Sequence, residues 1–202
     1  MIKTGAGAYT ASVGSRPAVF IDRDGTLTDE VGYVNHPSRL RMLPRSPEAI
    51  RRLNEARIPA VVITNQAGVA RGYFTEDLLR TVHAQLAARL AGEGARLDGI
   101  YACTHHPSEG EPPYRQRCEC RKPKPGLLLQ AAADLDLDLT RSVMVGDRPS
   151  DMAVGRSVGA RGVLVLTGYG RGEWEYHRDQ FSPPPDHVAE DLLEAVEWVL
   201  KA

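Results

Sequence analysis

The chain has 202 residues, of which 42% are hydrophobic and 25% charged, as in a globular protein with a sizeable core. Its 25 Lys and Arg nearly balance its 26 Asp and Glu, which argues against a surface that binds nucleic acid or an anionic membrane. Residues 1–16 lack the apolar segment of a secretory signal and are expected to form a flexible leader. Residues 17–202 are expected to form one cytoplasmic domain.

Five short apolar runs predict β-strands, and each run is continuous rather than alternating. Continuous runs are expected when helices cover both faces of a parallel sheet. Ser46-Pro47-Glu48 predicts a helix start with Ser46 as the N-cap, Pro47 at the first helical position and an acid in the first turn. Thr75-Glu76-Asp77 is expected to open a second helix. Further helices are expected after Gly126, after Asp147 and over about 188–201. The chain therefore predicts an open, mainly parallel α/β sheet with helices on both faces. The predicted strands are residues 18–22, 60–64, 99–103, 143–146 and 162–166.

Two segments lack this alternation of strands and helices. Residues 104–125 are rich in Pro, His, Cys and Arg and have no hydrophobic periodicity. Residues 168–187 are predicted to form a long loop before the last helix.

Carboxylates follow two of the predicted strands. Asp22 and Asp24 follow the first strand, and Thr64 ends the second. Asp147 follows the fourth strand, so all four side chains are expected at the carboxyl edge of the sheet, where ligands bind. Clustered carboxylates repel one another unless cations neutralise them, and Mg²⁺ prefers carboxylates together with phosphate oxygens. The sequence therefore predicts a Mg²⁺ site with a lysine nearby. A calcium EF-hand loop is excluded because Gly25 is the fourth residue of the motif rather than the sixth.

The three cysteines of the chain and one histidine predict a structural zinc site over residues 103–120. Cys103 and His105 form one pair, and Cys118 and Cys120 form the other. His106 is the alternative histidine ligand, and we favour His105. The paired spacing favours Zn²⁺ over three unrelated thiols, in a region where a metal can replace a hydrophobic core.

Four segments resemble, in order, the motifs of the haloacid dehalogenase-like phosphatases. They are FIDRDGTLT (20–28), ITNQAGVARG (63–72), CRKPKPG (120–126) and MVGDRPSDM (144–152). The resemblance implies a Rossmann-like fold and a phosphoric monoester hydrolase. Many proteins of this family carry a separate cap domain, but the gaps after Gly25 and after Thr64 are too short to hold one. The zinc loop, which runs directly into Lys122, is expected to form a wall of the active site instead.

The resemblance also implies a role for each motif residue. Asp22 would be the nucleophile that forms an aspartyl-phosphate. Asp24 would act as general acid and then as general base. Thr64 and Lys122 would bind the transferring phosphoryl group. Asp147 would hold Mg²⁺ together with the Asp22 side chain and the Asp24 backbone carbonyl.

A narrower resemblance is to the D-glycero-D-manno-heptose 1,7-bisphosphate 7-phosphatases and the related histidinol-phosphate phosphatases. The length of the zinc loop favours the first branch, and therefore removal of the 7-phosphate in the biosynthesis of a lipopolysaccharide-type precursor. Members of this family usually have a lysine where this chain has Arg148. The planar guanidinium of an arginine suits bidentate binding of a second phosphate. The implied substrate contacts are Glu30, Val31, Gly32, Tyr33, Asn65, Gln66, Ala67, Arg121 and Arg148.

Three other functions compete with this hypothesis. Histidinol-phosphate phosphatase activity would use the same chemistry. A DNA 3′-phosphatase would resemble the first two motifs, but the net charge of −1 disfavours it. A non-catalytic zinc-bearing interaction module is the third alternative, and it predicts that Asp22→Asn has no measurable effect. A small phosphorylated sugar as substrate and a monomeric state are expected. Asp151 is expected to be either a metal ligand or, more simply, a supporting acid at a helix end.

Overall fold

The computed structural model describes residues 15–201 and contains one six-stranded sheet whose neighbouring strands are all parallel. The strand order is β3-β2-β1-β4-β5-β6, so the chain builds outward from β1 in both directions. This order confirms the predicted open parallel sheet. The strands are β1 Val19–Ile21, β2 Ala60–Asn65, β3 Gly99–Cys103, β4 Val143–Gly146, β5 Arg161–Val165 and β6 His187–Ala189.

Helices cover both faces of this sheet. Val19 and Ile21 of β1 face a core shared with helices α1, α2 and α6, whereas Phe20 faces a second core with α3 and α4. The four central strands, β1, β2, β4 and β5, bury consecutive side chains on both faces, which explains why their apolar runs do not alternate with polar residues. The helices are α1 Ser46–Glu55, α2 Glu76–Gly92, α3 Gly126–Leu135, α4 Pro149–Ser157, α5 Gly170–Tyr176 and α6 Leu192–Lys201.

The start of α2 is as predicted, because the Thr75 hydroxyl caps the helix by accepting a hydrogen bond from the Leu78 backbone N–H, at 3.2 Å. The start of α1 differs by one residue. Ser46 is the first helical residue and Arg45 occupies the N-cap, so Ser46 does not cap the helix as expected.

The prediction for residues 168–187 is wrong, because this segment contains helix α5 and the first residue of β6. The last helix also begins later than about residue 188. Residues 187–189 pair in parallel with β5, and the Asp191 carboxylate accepts a hydrogen bond from the Glu194 backbone N–H at 3.0 Å, where α6 begins. Helix α5 and strand β6 are both short, and a three-residue edge strand gives no periodic signal in the sequence.

The connections that lead away from the carboxyl edge contain no separate folded unit in the described chain. Between β1 and α1 there is only a short 3₁₀ helix, Pro37–Arg39, and residues 66–75 between β2 and α2 form turns. Residues 104–125 contain no helix or strand, as the sequence predicted. Of the predicted leader, residues 1–14 lie outside the described part, and Arg16 forms a β-bridge with Leu137. No helix within residues 15–201 is both long and apolar enough to cross a membrane.

Candidate active site

Three carboxylates from two segments of the chain meet at the carboxyl edge of the sheet. Ile21 of β1 is in register with Val145 of β4, so Asp22 and the turn that carries Asp147 follow neighbouring strands. Asp22, Asp147 and Asp151 each offer an oxygen within 4.8 Å of the other two. Parallel pairing in register thus brings together acids that are more than 120 residues apart in the sequence.

Lys122 lies between two of these carboxylates. Its Nζ is 2.9 Å from Asp22 Oδ1 and 2.6 Å from Asp151 Oδ1, and its side chain is only 2% exposed. Burial alone would lower the pKa of Lys122, but the charges of Asp151 and Asp22 outweigh burial and raise it. The lysine is therefore a permanent cation at the centre of the cluster.

One lysine does not neutralise three carboxylates. Burial raises the pKa of Asp22 to about 7, with Lys122 opposing the shift and Asp151 adding to it. Burial also raises the pKa of Asp147 to about 8, with further repulsion from Asp22 and Asp151. Among the described residues, Asp147 Oδ1 is buried without a hydrogen-bond partner. A hard divalent cation satisfies both the excess charge and this oxygen, so the donor set fits Mg²⁺.

Asp151 supports the site from the start of a helix. It is the third residue of α4, where its Oδ2 accepts a hydrogen bond from the Arg148 backbone N–H at 3.1 Å. Its other oxygen accepts from Lys122, so the acid that caps the helix also fixes the lysine. Gly146 permits this arrangement, because any side chain there would overlap the Asp151 carboxylate.

The Asp24 carboxylate lies apart from this cluster and is held by other side chains. Arg23 donates to both of its oxygens, at 3.0 and 2.7 Å, and Gln66 Nε2 donates to Oδ2 at 2.8 Å. Arg23 is only 1% exposed and also bonds His83 Nε2 at 3.1 Å. Burial and the charge of Arg23 lower the pKa of His83 to about 4, so His83 is neutral at pH 7. The pair of Arg23 and His83 therefore fixes the orientation of Asp24.

Sequence reasoning missed both members of this pair. Arg23 lies inside the first motif, between the two carboxylates Asp22 and Asp24. His83 lies on the α2 face that also buries Leu79, Val82 and Leu86, and that helical position was the only signal available.

The end of β2 and the residue that follows it link the two halves of the site. Gln66 Nε2 donates to Thr64 Oγ1 at 2.8 Å as well as to Asp24. Asn65 accepts from the Lys122 backbone N–H at 3.0 Å and donates to the Lys122 carbonyl at 3.1 Å. Asn65 therefore holds the backbone of the buried lysine in place.

These groups open into a cavity of about 490 Å³ at the edge of the sheet. Val31 borders an adjoining cavity, and Gln66, 4% exposed, lies beneath the surface. Ser150 and Tyr169 line the main cavity but were not predicted to do so. The remaining lining residues are Asp22, Asp24, Glu30, Gly32, Tyr33, Thr64, Asn65, Ala67, Arg121, Lys122 and Arg148.

The cysteines and one histidine converge immediately beside this cavity. Cys120 Sγ is 2.9 Å from Cys103 Sγ, 3.3 Å from Cys118 Sγ and 3.2 Å from His105 Nδ1. Three sulfurs and one imidazole nitrogen at these separations fit a closed tetrahedral zinc site. His106 lies outside the cluster, because its Nδ1 accepts from the Glu109 backbone N–H at 3.0 Å.

The cluster also positions the cavity wall. Cys120 directly precedes Arg121 and Lys122, and the Arg121 guanidinium donates to the His105 carbonyl at 3.4 Å. Because Cys120 precedes Arg121 and Lys122 in the chain, and the His105 carbonyl accepts from Arg121, a metal bound by this cluster would restrain residues that face the cavity.

Comparisons with known proteins identify the family. A family model described as HAD-hydrolase-like matches residues 119–195. A Thermosynechococcus vestitus protein named D-glycero-D-manno-heptose-1,7-bisphosphate 7-phosphatase is 44% identical over 188 residues, which are 91% of this chain and 95% of the relative. An Escherichia coli K12 protein named D-glycero-beta-D-manno-heptose-1,7-bisphosphate 7-phosphatase is 44% identical over 76% of this chain and 81% of its own.

A solved structure agrees with these relatives. The D,D-heptose 1,7-bisphosphate phosphatase from B. bronchiseptica, complexed with magnesium and phosphate, aligns with a TM-score of 0.80 at 34% identity. The alignment covers 92% of this chain and 98% of that one. The chain therefore belongs to the D-glycero-D-manno-heptose-1,7-bisphosphate 7-phosphatase family of haloacid dehalogenase-like phosphatases.

Proposed function

We propose that the protein removes the 7-phosphate of D-glycero-D-manno-heptose 1,7-bisphosphate. The observation that carries the reaction type is the buried cluster of Asp22, Lys122 and Asp147 at the base of an open cavity. The names of the relatives, at 42–45% identity, support the substrate.

The Asp22 carboxylate attacks phosphorus, and the bond from phosphorus to the sugar oxygen breaks. Asp24 gives a proton to that oxygen as it leaves, and then takes one from the water that hydrolyses the aspartyl-phosphate. The Lys122 ammonium and the Thr64 hydroxyl would stabilise negative charge on the phosphoryl oxygens. Arg23 and Gln66 keep Asp24 from turning into the carboxylate cluster.

Mg²⁺ would be held by the side chains of Asp22 and Asp147 and by the Asp24 backbone carbonyl, with Asp151 in support through Lys122. When bound, the ion supplies positive charge that lowers the repulsion between the nucleophile and the phosphate. Zn²⁺ would be held by Cys103, His105, Cys118 and Cys120 in a structural role.

The other cavity residues would select the substrate. Arg121 and Arg148 are the cations that suit the second phosphate, and Glu30 suits the hydroxyl groups of the sugar. The near-neutral net charge of −1 favours a small substrate over nucleic acid. We further propose that the enzyme works as a monomer in the cytoplasm.

The substrate is tested by measuring phosphate release from heptose 1,7-bisphosphate, heptose 7-phosphate and histidinol phosphate with Mg²⁺ present. We expect the highest kcat/KM with the bisphosphate, since two arginines face the cavity. A higher kcat/KM with histidinol phosphate would reject the proposed substrate while keeping the chemistry.

The nucleophile is tested with Asp22→Asn, for which we expect phosphate release to fall by roughly 10³-fold or more, because an amide oxygen is a far weaker nucleophile. Asp77→Asn, an exposed acid on α2, is the matched control and should behave as the wild type. Zinc content and the far-ultraviolet circular dichroism spectrum should not change in either variant. Undiminished phosphate release in Asp22→Asn would reject Asp22 as the nucleophile.

Magnesium binding should stabilise the fold more at about pH 8.5 than at about pH 6. Without the ion, the native pKa values of Asp22 and Asp147, about 7 and about 8, exceed their ordinary value of 3.8. The native state therefore retains protons that the unfolded state has released, and stability falls as the pH rises from about 4 to 8. Mg²⁺ replaces those protons and relieves the repulsion.

Thermal denaturation with and without MgCl₂ at both pH values measures this difference in Tm. Asp147→Asn should reduce the Mg²⁺-dependent shift. An equal shift at the two pH values would contradict a site built from Asp22 and Asp147.

Zinc removal should loosen the cavity wall. Cys118→Ser should lose the metal and raise KM for the bisphosphate, because Arg121 and Lys122 follow the cluster in the chain. His106→Gln is the matched control and should keep about one zinc ion per chain, since His106 lies outside the cluster. Elemental analysis and KM measurements distinguish the two. Zinc loss from His106→Gln would make His106, rather than His105, the histidine ligand.

A further inference from the structure

The turn between β5 and α5 is tied to both acid-bearing motifs. Thr167 Oγ1 donates to the Gly25 carbonyl at 2.6 Å, and the Tyr169 backbone N–H donates to Asp147 Oδ2 at 2.8 Å. Gly168 has a φ of +56°, and a side chain there would overlap both Gly25 and the Asp147 carboxylate. The position of Tyr169 relative to the carboxylate cluster is therefore fixed by backbone contacts.

The Tyr169 side chain supports an arginine at the rim of the cavity. The guanidinium carbon of Arg148 lies 3.8 Å from the centre of the Tyr169 ring. Glu173, one helical turn further on, places Oε1 at 3.9 Å from Arg148 Nη1. Arg148 and Tyr169 both line the cavity, and the Arg148 side chain is 43% exposed.

A cation–π contact of this kind restrains the guanidinium without using up its hydrogen-bond donors. A planar cation over an aromatic face is held by the ring quadrupole, while its N–H groups lie in the plane and point away from the ring. A guanidinium held in this way meets a phosphate as a rigid fork, with less conformational entropy to lose than a free side chain. A lysine at position 148 would lack the plane that stacks.

We propose that Tyr169 is a positioning residue for the second phosphate of the substrate, acting through Arg148. This rests on the proposed function, in which the substrate carries a phosphate that is not cleaved. Tyr169 thus connects the two ends of the substrate. Its backbone holds Asp147 at the reacting phosphate, and its ring holds Arg148 at the other.

The experiment compares KM for heptose 1,7-bisphosphate with KM for heptose 7-phosphate in Tyr169→Leu and Tyr169→Phe. The preference for the bisphosphate is the KM for heptose 7-phosphate divided by the KM for the bisphosphate. We expect this ratio to fall by about two- to fivefold in Tyr169→Leu, as for the loss of an exposed cation–π contact. Tyr169→Phe keeps the aromatic face and should retain the preference. Tyr176→Leu, at the exposed end of α5, is the control and should match the wild type. In an Arg148→Ala background, Tyr169→Leu should have no further effect on the preference.

Three results would overturn the inference. One is an unchanged preference in Tyr169→Leu, including the case in which kcat falls equally with both substrates. Another is a loss in Tyr169→Phe as large as in Tyr169→Leu, which would assign the effect to the hydroxyl group. The third is an undiminished effect in the Arg148→Ala background. A wild-type enzyme with no preference for the bisphosphate would overturn the proposed function as well, so the two failures are distinguishable.

Discussion

The contact on which the site depends is the buried ammonium of Lys122 between Asp22 and Asp151. Electrostatic interactions are strong where water is excluded, so this lysine stabilises the cluster of carboxylates. It does not neutralise their whole negative charge. One positive charge offsets one of three carboxylates, and the pKa values of Asp22 and Asp147 rise accordingly. The remaining negative charge makes the site a receptor for a divalent cation and, beyond it, for a phosphate.

Several parts of the fold serve to hold that lysine. Asn65 bonds its backbone on both sides, the cysteine and histidine cluster ends two residues before it, and Asp151 reaches it from the start of α4. A different set of contacts, from Arg23, His83 and Gln66, holds Asp24 apart. The two carboxylates of the first motif thus have different surroundings, as two different chemical roles require.

Most of the sheet could be predicted because its strands are continuous apolar runs, a signal that lies within a few residues. The prediction failed between residues 168 and 191, where a short helix and a three-residue edge strand carry no comparable pattern. That failure concerned the active site, because Tyr169 lies in this segment. The roles implied for individual site residues stay predictions until the variants are measured.

The sequence by itself determined the class of fold, the motif acids and the four candidate zinc ligands, because these depend on residue type and on spacing over short stretches of chain. Only the tertiary structure decided which partners those residues take. The pairing of Arg23 with His83, of Lys122 with Asp151 and of Arg148 with Tyr169 joins segments 21 to 60 residues apart. Such pairs form because the strand order and the register of the sheet bring the loop ends together. Strand order and register depend on several segments at once, so no single segment of the sequence predicts them.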